Sequence, residues 1–174
     1  MPAPLDLQQL YDDHVSALYA FLLNLTRHEA DTRDVLQDLF IKLAARPDRL
    51  DGVTDVRGFL IRLAHNQAID LIRRRATRQK NYDQLAADTA PVFEPGQAGS
   101  DETAFRQALA TALGELPPDQ RAVVHLKLWE DMTFEAIAAA LEIPPNTAAS
   151  RYRYGLDKLR DRLRPLYEEI KNHG

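Results

Sequence analysis

The sequence contains no cysteine among its 174 residues. Disulfides, thiolate zinc sites, iron–sulfur clusters and cysteine nucleophiles are therefore excluded. No apolar run approaches the roughly 20 residues that a membrane-spanning helix needs, so we expect no membrane insertion. The opening residues, MPAPLDLQQLYDD, have neither a basic region nor an apolar core. This pattern predicts that no signal peptide is present and that the protein is cytoplasmic.

The sequence also lacks the usual marks of a catalytic or cofactor site. Its five histidines are far apart and do not have the spacing of metal ligands. There is no phosphate-binding glycine loop, and no pair of carboxylates stands in an evident pocket. We therefore expect no catalytic residue, no metal, no cofactor and no enzymatic activity. His65 and His125 are interpreted as partly packed helix residues.

Charge is distributed unevenly along the chain, although the net charge is only −4. Residues 57–80 carry seven basic side chains and one acidic one, and residues 151–174 carry seven basic and four acidic ones. The remainder is acidic. Two basic segments on an acidic body suggest two separate contacts with a polyanion. The alternative is that both segments are solvated helix faces.

Apolar residues recur at intervals of three and four along nearly the whole chain, which predicts an all-α protein. The interruption is at 81–100, where NYDQLAADTAPVFEPGQAGS contains two prolines, two glycines and no basic residue. We interpret that segment as a flexible linker. The predicted organisation is two small helical domains, 1–80 and 101–174, joined by the linker 81–100.

The segment TFEAIAAALEIPPNTAASRYRYGLDKLR has the pattern of a helix-turn-helix. Thr133 is the expected cap of its first helix and Asn146 of its second. Ala138 is small enough for the two helices to cross closely. The exposed start of the second helix is where such motifs contact base edges and phosphates in the major groove. A plain helical hairpin is the alternative. The candidate DNA-contacting residues are Asn146, Thr147, Ser150, Arg151, Arg153 and Tyr154.

The helix VRGFLIRLAHNQAIDLIRRRATRQK is strongly basic. Positive charge near a helix carboxyl end suits the helix dipole, but that explains one or two of these cations only. We expect the basic side chains to face solvent or a polyanion. Asn66 and Asp70 lie one turn apart, and they could bond to bases or brace Arg62 and Arg74. The preceding helix, DTRDVLQDLFIKL, exposes a mixed-charge face that is either solvated or protein-binding.

These three blocks resemble the extracytoplasmic-function group of sigma-70 factors, and the resemblance covers nearly the whole chain. DTRDVLQDLFIKL is similar to the polymerase-binding helix of sigma region 2, and DVRGFLIRLAHNQAIDLIRRR is similar to its promoter-melting helix. LPPDQR followed by the helix-turn-helix is similar to sigma region 4. The resemblance therefore implies a region 2 helical bundle, a region 4 helix-turn-helix and an alternative sigma factor that directs initiation at −10 and −35 elements.

The resemblance also implies roles for individual residues and partners. The loop 48–54 falls where the family captures an unstacked base, and the helix from Asn146 falls where it reads the −35 element. The implied partners are core RNA polymerase, through its β′ coiled coil and β flap, promoter DNA and an anti-sigma factor. The implied polymerase-binding residues are Asp34, Gln37, Asp38 and Phe40, and the implied −10 residues are Arg62, Asn66, Asp70, Arg73 and Arg74.

The sequence departs from the family pattern at several positions. The family usually has Trp at the position of Phe59, Arg at that of His65 and glycine at the turn position of Glu142. A basic residue is also lost at Ala149, and Arg153 could supply that charge. These departures make the promoter sequence unpredictable.

Two alternative functions stay open at this point. A stand-alone helix-turn-helix regulator would explain residues 133–164 but not the first domain. A sigma mimic that sequesters an anti-sigma factor would have no need of arginines that face bases.

Overall fold

The computed structural model describes residues 6–81 and 100–173, and these form seven α-helices with no strand. The all-α prediction is therefore confirmed for the described part of the chain. The predicted linker lies outside the described residues, apart from the helical positions at its two ends. The elements are α1 (Leu7–Thr26), α2 (Glu29–Ala45), a 3-10 turn (Pro47–Leu50), α3 (Val56–Asn81), α4 (Ser100–Glu115), α5 (Pro118–Leu128), α6 (Phe134–Leu141) and α7 (Pro145–His173).

Helices α1 to α3 form a bundle in the N-terminal half, residues 6–81. Helix α1 is capped by the Asp6 carboxylate, which accepts a hydrogen bond from the backbone N–H of Gln8 at 3.0 Å. Helix α2 begins two residues earlier than its apolar pattern indicates, because the His28 side chain accepts from the backbone N–H of Asp31. The connection between the two helices is therefore very short, which holds α1 and α2 side by side.

Helices α4 to α7 form the C-terminal half, residues 100–173. Two proline pairs set its helix starts in the same way, since Pro118 and Pro145 each occupy the first helical position. Proline suits that position because its fixed φ is helical and its missing N–H would have no partner there. The prediction that Asn146 caps the last helix is consequently wrong by two positions, because Asn146 is the second residue of α7 and Pro144 precedes the helix. The backbone carbonyl of Pro144 accepts from Thr147 and Ala148 instead.

The two halves share one continuous apolar core. Fully buried residues of α1, such as Phe21 and Leu22, belong to the same cluster as Leu126 of α5 and Ile137 of α6. A second, smaller cluster joins α4, α5 and α7 around Leu113. The structure places α1 against α5 and α3 against α6, so each half covers an apolar face of the other. The sequence does not indicate this contact.

Four arginines also connect the halves, and each donates to a backbone carbonyl. Arg27 Nη2 lies 2.7 Å from the carbonyl oxygen of Ala110, and Arg121 donates to the carbonyl of Leu25 at the end of α1. Arg57 and Arg62 of α3 reach the C-terminal half in the same manner. The carbonyls of Leu25 and Ala140 lie in the last turn of α1 and of α6, where they lack partners within the helix. Arg121 and Arg62 satisfy these two carbonyls, and the four contacts together fix how the halves meet.

Candidate nucleic-acid interface

The helix-turn-helix is formed by α6, the turn at 142–144 and the first turns of α7. The Thr133 hydroxyl accepts from the backbone N–H of Ala136 at 3.1 Å, which confirms it as the cap of α6. Glu142 ends α6 in the left-handed conformation, with φ 58° and ψ 47°. Its N–H and that of Ile143 both bond to the carbonyl of Ala138. This arrangement turns the chain sharply between the two helices.

Small residues allow α6 and α7 to approach closely. Ala138 is 4 % exposed and Ala148 is completely buried, so both lie in the contact between the helices. Tyr152 packs on Phe134 with ring centroids 5.5 Å apart. Gly155, farther along α7, passes close to Val124, and a Cβ there would lie 2.7 Å from its methyl carbon. These contacts hold the start of α7 at the surface.

The predicted DNA-contacting residues of α7 differ in their exposure. Asn146, Arg153 and Tyr154 are exposed, whereas Thr147, Ser150 and Arg151 are half-buried. The guanidinium of Arg153 lies 5.5 Å from the centre of the Tyr154 ring. These two side chains together form a cation next to an aromatic surface, which is suited to phosphate and base contacts.

The basic helix α3 presents most of its predicted DNA-contacting residues to solvent. Asn66, Asp70, Arg73 and Arg74 are all exposed. Arg74 Nε lies 3.4 Å from the backbone carbonyl of Asp70, so the Asp70 carboxylate is not used to brace it. Arg75 is also exposed, and in addition it forms an ion pair with the largely buried Asp31 of α2.

Arg62 differs from the other predicted residues of α3, because the helix-turn-helix occupies its side chain. Its guanidinium donates to the carbonyls of Ala139 and Ala140 and forms an ion pair with Glu142. Arg62 is therefore engaged by the C-terminal half in this conformation, although its side chain remains 37% exposed. The sequence could not show the contact, since the two segments are about eighty positions apart.

The loop predicted to capture a base begins with the 3-10 turn. Arg46 donates two hydrogen bonds to the Asp48 carboxylate, at 3.1 and 3.0 Å. The hydrogen bond from Arg46 lowers the pKa of Asp48 below its usual value. Leu50 is buried and anchors the turn, and Gly52 has a φ of 74°, which favours glycine. The start of the loop 48–54 is thus held by hydrogen bonds and a buried leucine, whereas Asp51 and Gly52 at its tip are exposed.

The predicted protein-binding face of α2 is polar with an apolar groove beside it. Asp34, Gln37 and Asp38 are exposed, whereas Phe40 is only 8 % exposed. Phe40 packs edge-on against Tyr11, with ring centroids 5.0 Å apart. Phe40 therefore lines the groove beneath the exposed polar side chains.

Ile41 on the same helix was not among the residues predicted from the sequence. This apolar side chain is 58 % exposed and lines the groove together with Tyr11, Leu36 and Phe40. Its signal was visible as an isoleucine one turn after Gln37 on an otherwise charged face. An exposed apolar side chain in a groove marks a surface suited to a protein partner.

The two histidines interpreted as packed are indeed buried. Asn24 donates to His125 across the halves, with 2.7 Å between Asn24 Nδ2 and His125 Nδ1. Trp129 stacks on the same imidazole at 5.4 Å. Burial lowers the pKa of His125 to about 4 and also lowers that of His65, so both rings are neutral at pH 7. No cluster of metal-ligating side chains occurs within residues 6–81 and 100–173.

Arg121 belongs to the LPPDQR motif and is 5 % exposed. It donates to the carbonyls of Gly114 and Leu116 at the end of α4, as well as to Leu25 of α1. Burial, aided by the nearby charge of Arg27, lowers the pKa of Arg121 to about 10. The side chain therefore stays charged at pH 7 and joins α1, α4 and α5.

Along the described chain, no helix is long and apolar enough to cross a membrane.

Two family models match the chain in sequence order. The model for sigma-70 region 2 matches residues 10–78, and the model for sigma-70 region 4 matches residues 106–159. These ranges contain the basic helix α3 and the helix-turn-helix respectively.

Whole-chain relatives give the same result. The chain is 32% identical to the RNA polymerase sigma factor CarQ of Myxococcus xanthus, over 94% of this chain and 92% of CarQ. It is 30% identical to the ECF sigma factor SigL of Mycobacterium tuberculosis, over 92% of this chain and 90% of SigL. The chain therefore belongs to the extracytoplasmic-function (ECF) sigma factors of RNA polymerase.

Two solved structures resemble the whole fold. CnrH, in complex with the cytosolic domain of CnrY, superposes with a TM-score of 0.65 at 26% identity, covering 91% of this chain and 88% of CnrH. RpoE of Bartonella quintana, in complex with the anti-sigma factor NepR, gives a TM-score of 0.74 at 24% identity, covering 90% of this chain and 96% of RpoE. The second likeness concerns the fold alone.

Proposed function

We propose that this sigma factor binds core RNA polymerase through α2 and places α3 and α7 on the −10 and −35 elements of a promoter. The observation that carries the proposal is the order of the two regions along one chain, with a basic helix in each and a mixed-charge face on α2. Polymerase carries out all the chemistry, so the sigma factor needs no catalytic residue or cofactor. We expect it to act in the cytoplasm, where core polymerase is found.

The α2 face has the features of a docking surface for the β′ coiled coil. Asp34, Gln37 and Asp38 provide exposed polar contacts, and the groove at Ile41 provides apolar area. Apolar burial supplies affinity in such contacts, while the charges direct orientation and the rate of encounter. We propose that the C-terminal half contacts the β flap in addition. Two docking points then hold the halves at a fixed separation on polymerase.

The DNA contacts divide into duplex binding and base capture. Arg73 and Arg74 on α3, together with Arg153 on α7, hold phosphates, since arginine forms paired hydrogen bonds with them. Asn66 and the start of α7 contact base edges. The loop 48–54 takes up a base that leaves the stack, at an unstacking cost of a few kcal/mol. Each contact is weak alone, and docking on polymerase makes them act together through effective concentration.

An anti-sigma factor is the remaining partner that we propose. The two structural neighbours were each solved with a second protein bound, the anti-sigma factor NepR for RpoE and the cytosolic domain of CnrY for CnrH. A sigma mimic is a second candidate function because it would share this fold. The exposed arginines of α3 and α7 favour the sigma factor itself.

Two paired substitutions test the assignment of the faces. Asp34→Lys with Asp38→Lys should abolish binding to core polymerase, because two exposed acidic groups on the docking face become basic. The double variant Asp12→Lys with Asp13→Lys is the matched control, since both of these carboxylates are exposed on α1. Binding is measured by co-elution with core polymerase, and circular dichroism checks the helical content. Retained binding in the α2 variant would contradict the docking face.

The second pair separates polymerase binding from initiation. Arg73→Ala with Arg74→Ala should impair transcription while leaving binding to core polymerase intact. Arg160→Ala with Arg164→Ala removes two exposed arginines near the far end of α7, and it serves as the control for lost charge. Equal loss of binding and transcription in the Arg73 and Arg74 variant would contradict the role of α3 in DNA contact.

A further inference from the structure

Two successive turns order the backbone of the loop 48–54. The N–H of Asp51 bonds to the carbonyl of Asp48 at 3.0 Å, and the N–H of Val53 bonds to the carbonyl of Leu50 at 3.2 Å. Each bond joins residues three positions apart, as in a 3-10 turn or a β-turn. The buried Leu50 side chain belongs to the main apolar core and anchors the second turn. The loop therefore presents its side chains from an ordered backbone.

Asp51 occupies the corner of the second turn. Its φ of −65° and ψ of 130° are those of the first central residue of a type II turn. Gly52 follows with a φ of 74°, which the second central position of that turn requires. A Cβ built at Gly52 would meet no atom within 4 Å. Asp51 is exposed, so its carboxylate lies next to open space.

The other two carboxylates at this loop already have hydrogen-bond donors. Two hydrogen bonds from a neighbouring arginine hold Asp48. The backbone N–H of Gly58 donates to Asp55 Oδ1 at 3.0 Å, which caps the start of α3. Within the part of the chain that the structure describes, the Asp51 side chain takes part in no hydrogen bond or ion pair. Asp51 is therefore the loop carboxylate whose acceptor oxygens are available to a ligand.

Arg49 supplies an exposed cation two positions from Asp51. Its guanidinium forms no hydrogen bond to the described residues, and arginine binds phosphate oxygens through paired donors. A carboxylate is instead repelled by phosphate, and it can only accept hydrogen bonds. Contact between Asp51 and DNA is therefore favourable only where a base supplies donors to it.

The Watson–Crick edges of the four bases differ in what they offer to a carboxylate. Guanine presents two adjacent donors, N1–H and the N2 amino group. Adenine and cytosine each place one amino donor beside an acceptor ring nitrogen, and thymine places its N3–H between two carbonyl oxygens. A carboxylate has two acceptor oxygens and no donor. Guanine therefore matches both oxygens, whereas each of the other bases sets an acceptor against the negative charge.

We propose that the base captured by the loop 48–54 is guanine and that Asp51 is the residue that selects it. The Asp51 carboxylate accepts from N1–H and N2–H of the unstacked guanine, and Arg49 binds the phosphate beside it. The inference rests on the proposed function, in which this loop takes up a base, and it adds the identity of that base. Because the backbone is already ordered, binding loses little to ordering the acceptor.

The expected selectivity follows from the number of hydrogen bonds. A bidentate contact between a side chain and a base discriminates against a wrong base by about 5- to 150-fold. Water competes for the same hydrogen bonds at an exposed loop, so we expect the lower part of that range, about 5- to 20-fold.

The preference can be measured on the full chain without polymerase. The ¹⁵N-labelled protein is titrated with the single-stranded pentanucleotides d(TTGTT), d(TTATT), d(TTCTT) and d(TTTTT), and the amide signals of residues 51–53 are followed by nuclear magnetic resonance. We expect d(TTGTT) to shift these signals in a saturable manner and to bind at least about 5-fold more tightly than each of the other three.

The variant Asp51→Asn tests the role of the carboxylate, because it exchanges one acceptor oxygen for an amino donor. An amide presents one acceptor and one donor, and all four bases offer the complementary pair, so the preference for d(TTGTT) should fall below about twofold. Asp55→Asn is the matched control. It removes the same charge from the same loop, and asparagine caps a helix as well as aspartate does, so the preference should be retained. Circular dichroism verifies the fold of both variants.

Equal affinity of the parent for the four oligonucleotides would overturn the inference, as would a guanine preference that Asp51→Asn retains. Failure of the proposed function gives a different result, because it is measured with core polymerase. If the protein did not bind polymerase but showed a guanine preference that Asp51→Asn abolished, the base assignment would stand and the sigma-factor function would fall. If transcription were initiated but the parent had no guanine preference, the function would stand and the base assignment would fall.

Discussion

The close passage of α7 over α5 gives a sharp quantitative prediction at Gly155. A Cβ at this position would lie 2.7 Å from Val124 Cγ2, which belongs to a completely buried side chain. Overpacking of this kind costs about 1–3 kcal/mol. Replacing glycine by alanine inside a helix returns about 1 kcal/mol. We therefore expect Gly155→Ala to lower the free energy of unfolding by about 0–2 kcal/mol, the steric overlap being the larger effect.

The companion variant Val124→Ala separates the two contributions. Alone it should cost about 2 kcal/mol, since two buried methyl groups are lost and a small cavity is left. In the double variant the new Cβ of residue 155 occupies the space that Val124 Cγ2 vacates. The double variant should then be more stable than the sum of the single effects by about 1–3 kcal/mol. Urea unfolding of all four proteins, followed by circular dichroism, measures this coupling. Additivity within about 0.5 kcal/mol would refute the steric argument.

Two further predictions concern pH and helix capping. The pKa of His125 falls from 6.5 to about 4 on folding, so the unfolded chain binds more protons than the folded one between these pH values. The contribution of neutral His125 to the free energy of unfolding should therefore be fully present above pH 6.5. It should fall by up to about 3 kcal/mol as the pH approaches 4. The variant His125→Gln should lose less stability between those pH values. Part of the loss that remains comes from His65, whose pKa is also lowered by burial. An unchanged dependence of stability on pH would contradict the assignment to His125. Thr133→Ala should cost about 1 kcal/mol because the cap of α6 is lost, and an unaltered midpoint in thermal unfolding would argue against that cap.

Local features of the fold could be predicted from the sequence because their causes are local. Pro118 at a first helical position and Thr133 as a cap follow from backbone geometry and from one hydrogen bond. The start of α7 was misplaced because Pro145 and Asn146 are both good helix starters, and the fixed φ of proline decided between them. The start of α2 at Glu29 was missed because histidine, here His28, is an uncommon cap.

The contact between the halves could not be predicted, because an apolar stripe shows that a face is buried but not what covers it. Phe21 and Ile137 fit the stripes of their own helices equally well with separate or shared cores. Arg62 was correctly placed on a basic helix, yet its acceptors lie about eighty positions away, on α6 and at Glu142. From the sequence, Glu142 is only a departure from the family pattern. In the structure its carboxylate forms an ion pair with Arg62.

We expect this protein to direct core RNA polymerase to specific promoters, and run-off transcription is the experiment that decides it. Purified bacterial core polymerase is incubated with fragmented genomic DNA, with and without the protein. A sigma factor should give discrete new transcripts whose upstream sequences share two spaced elements, and these transcripts should be lost with Arg73→Ala and Arg74→Ala. The absence of both new transcripts and stable polymerase binding would refute the sigma-factor function and favour the sigma mimic or the stand-alone regulator.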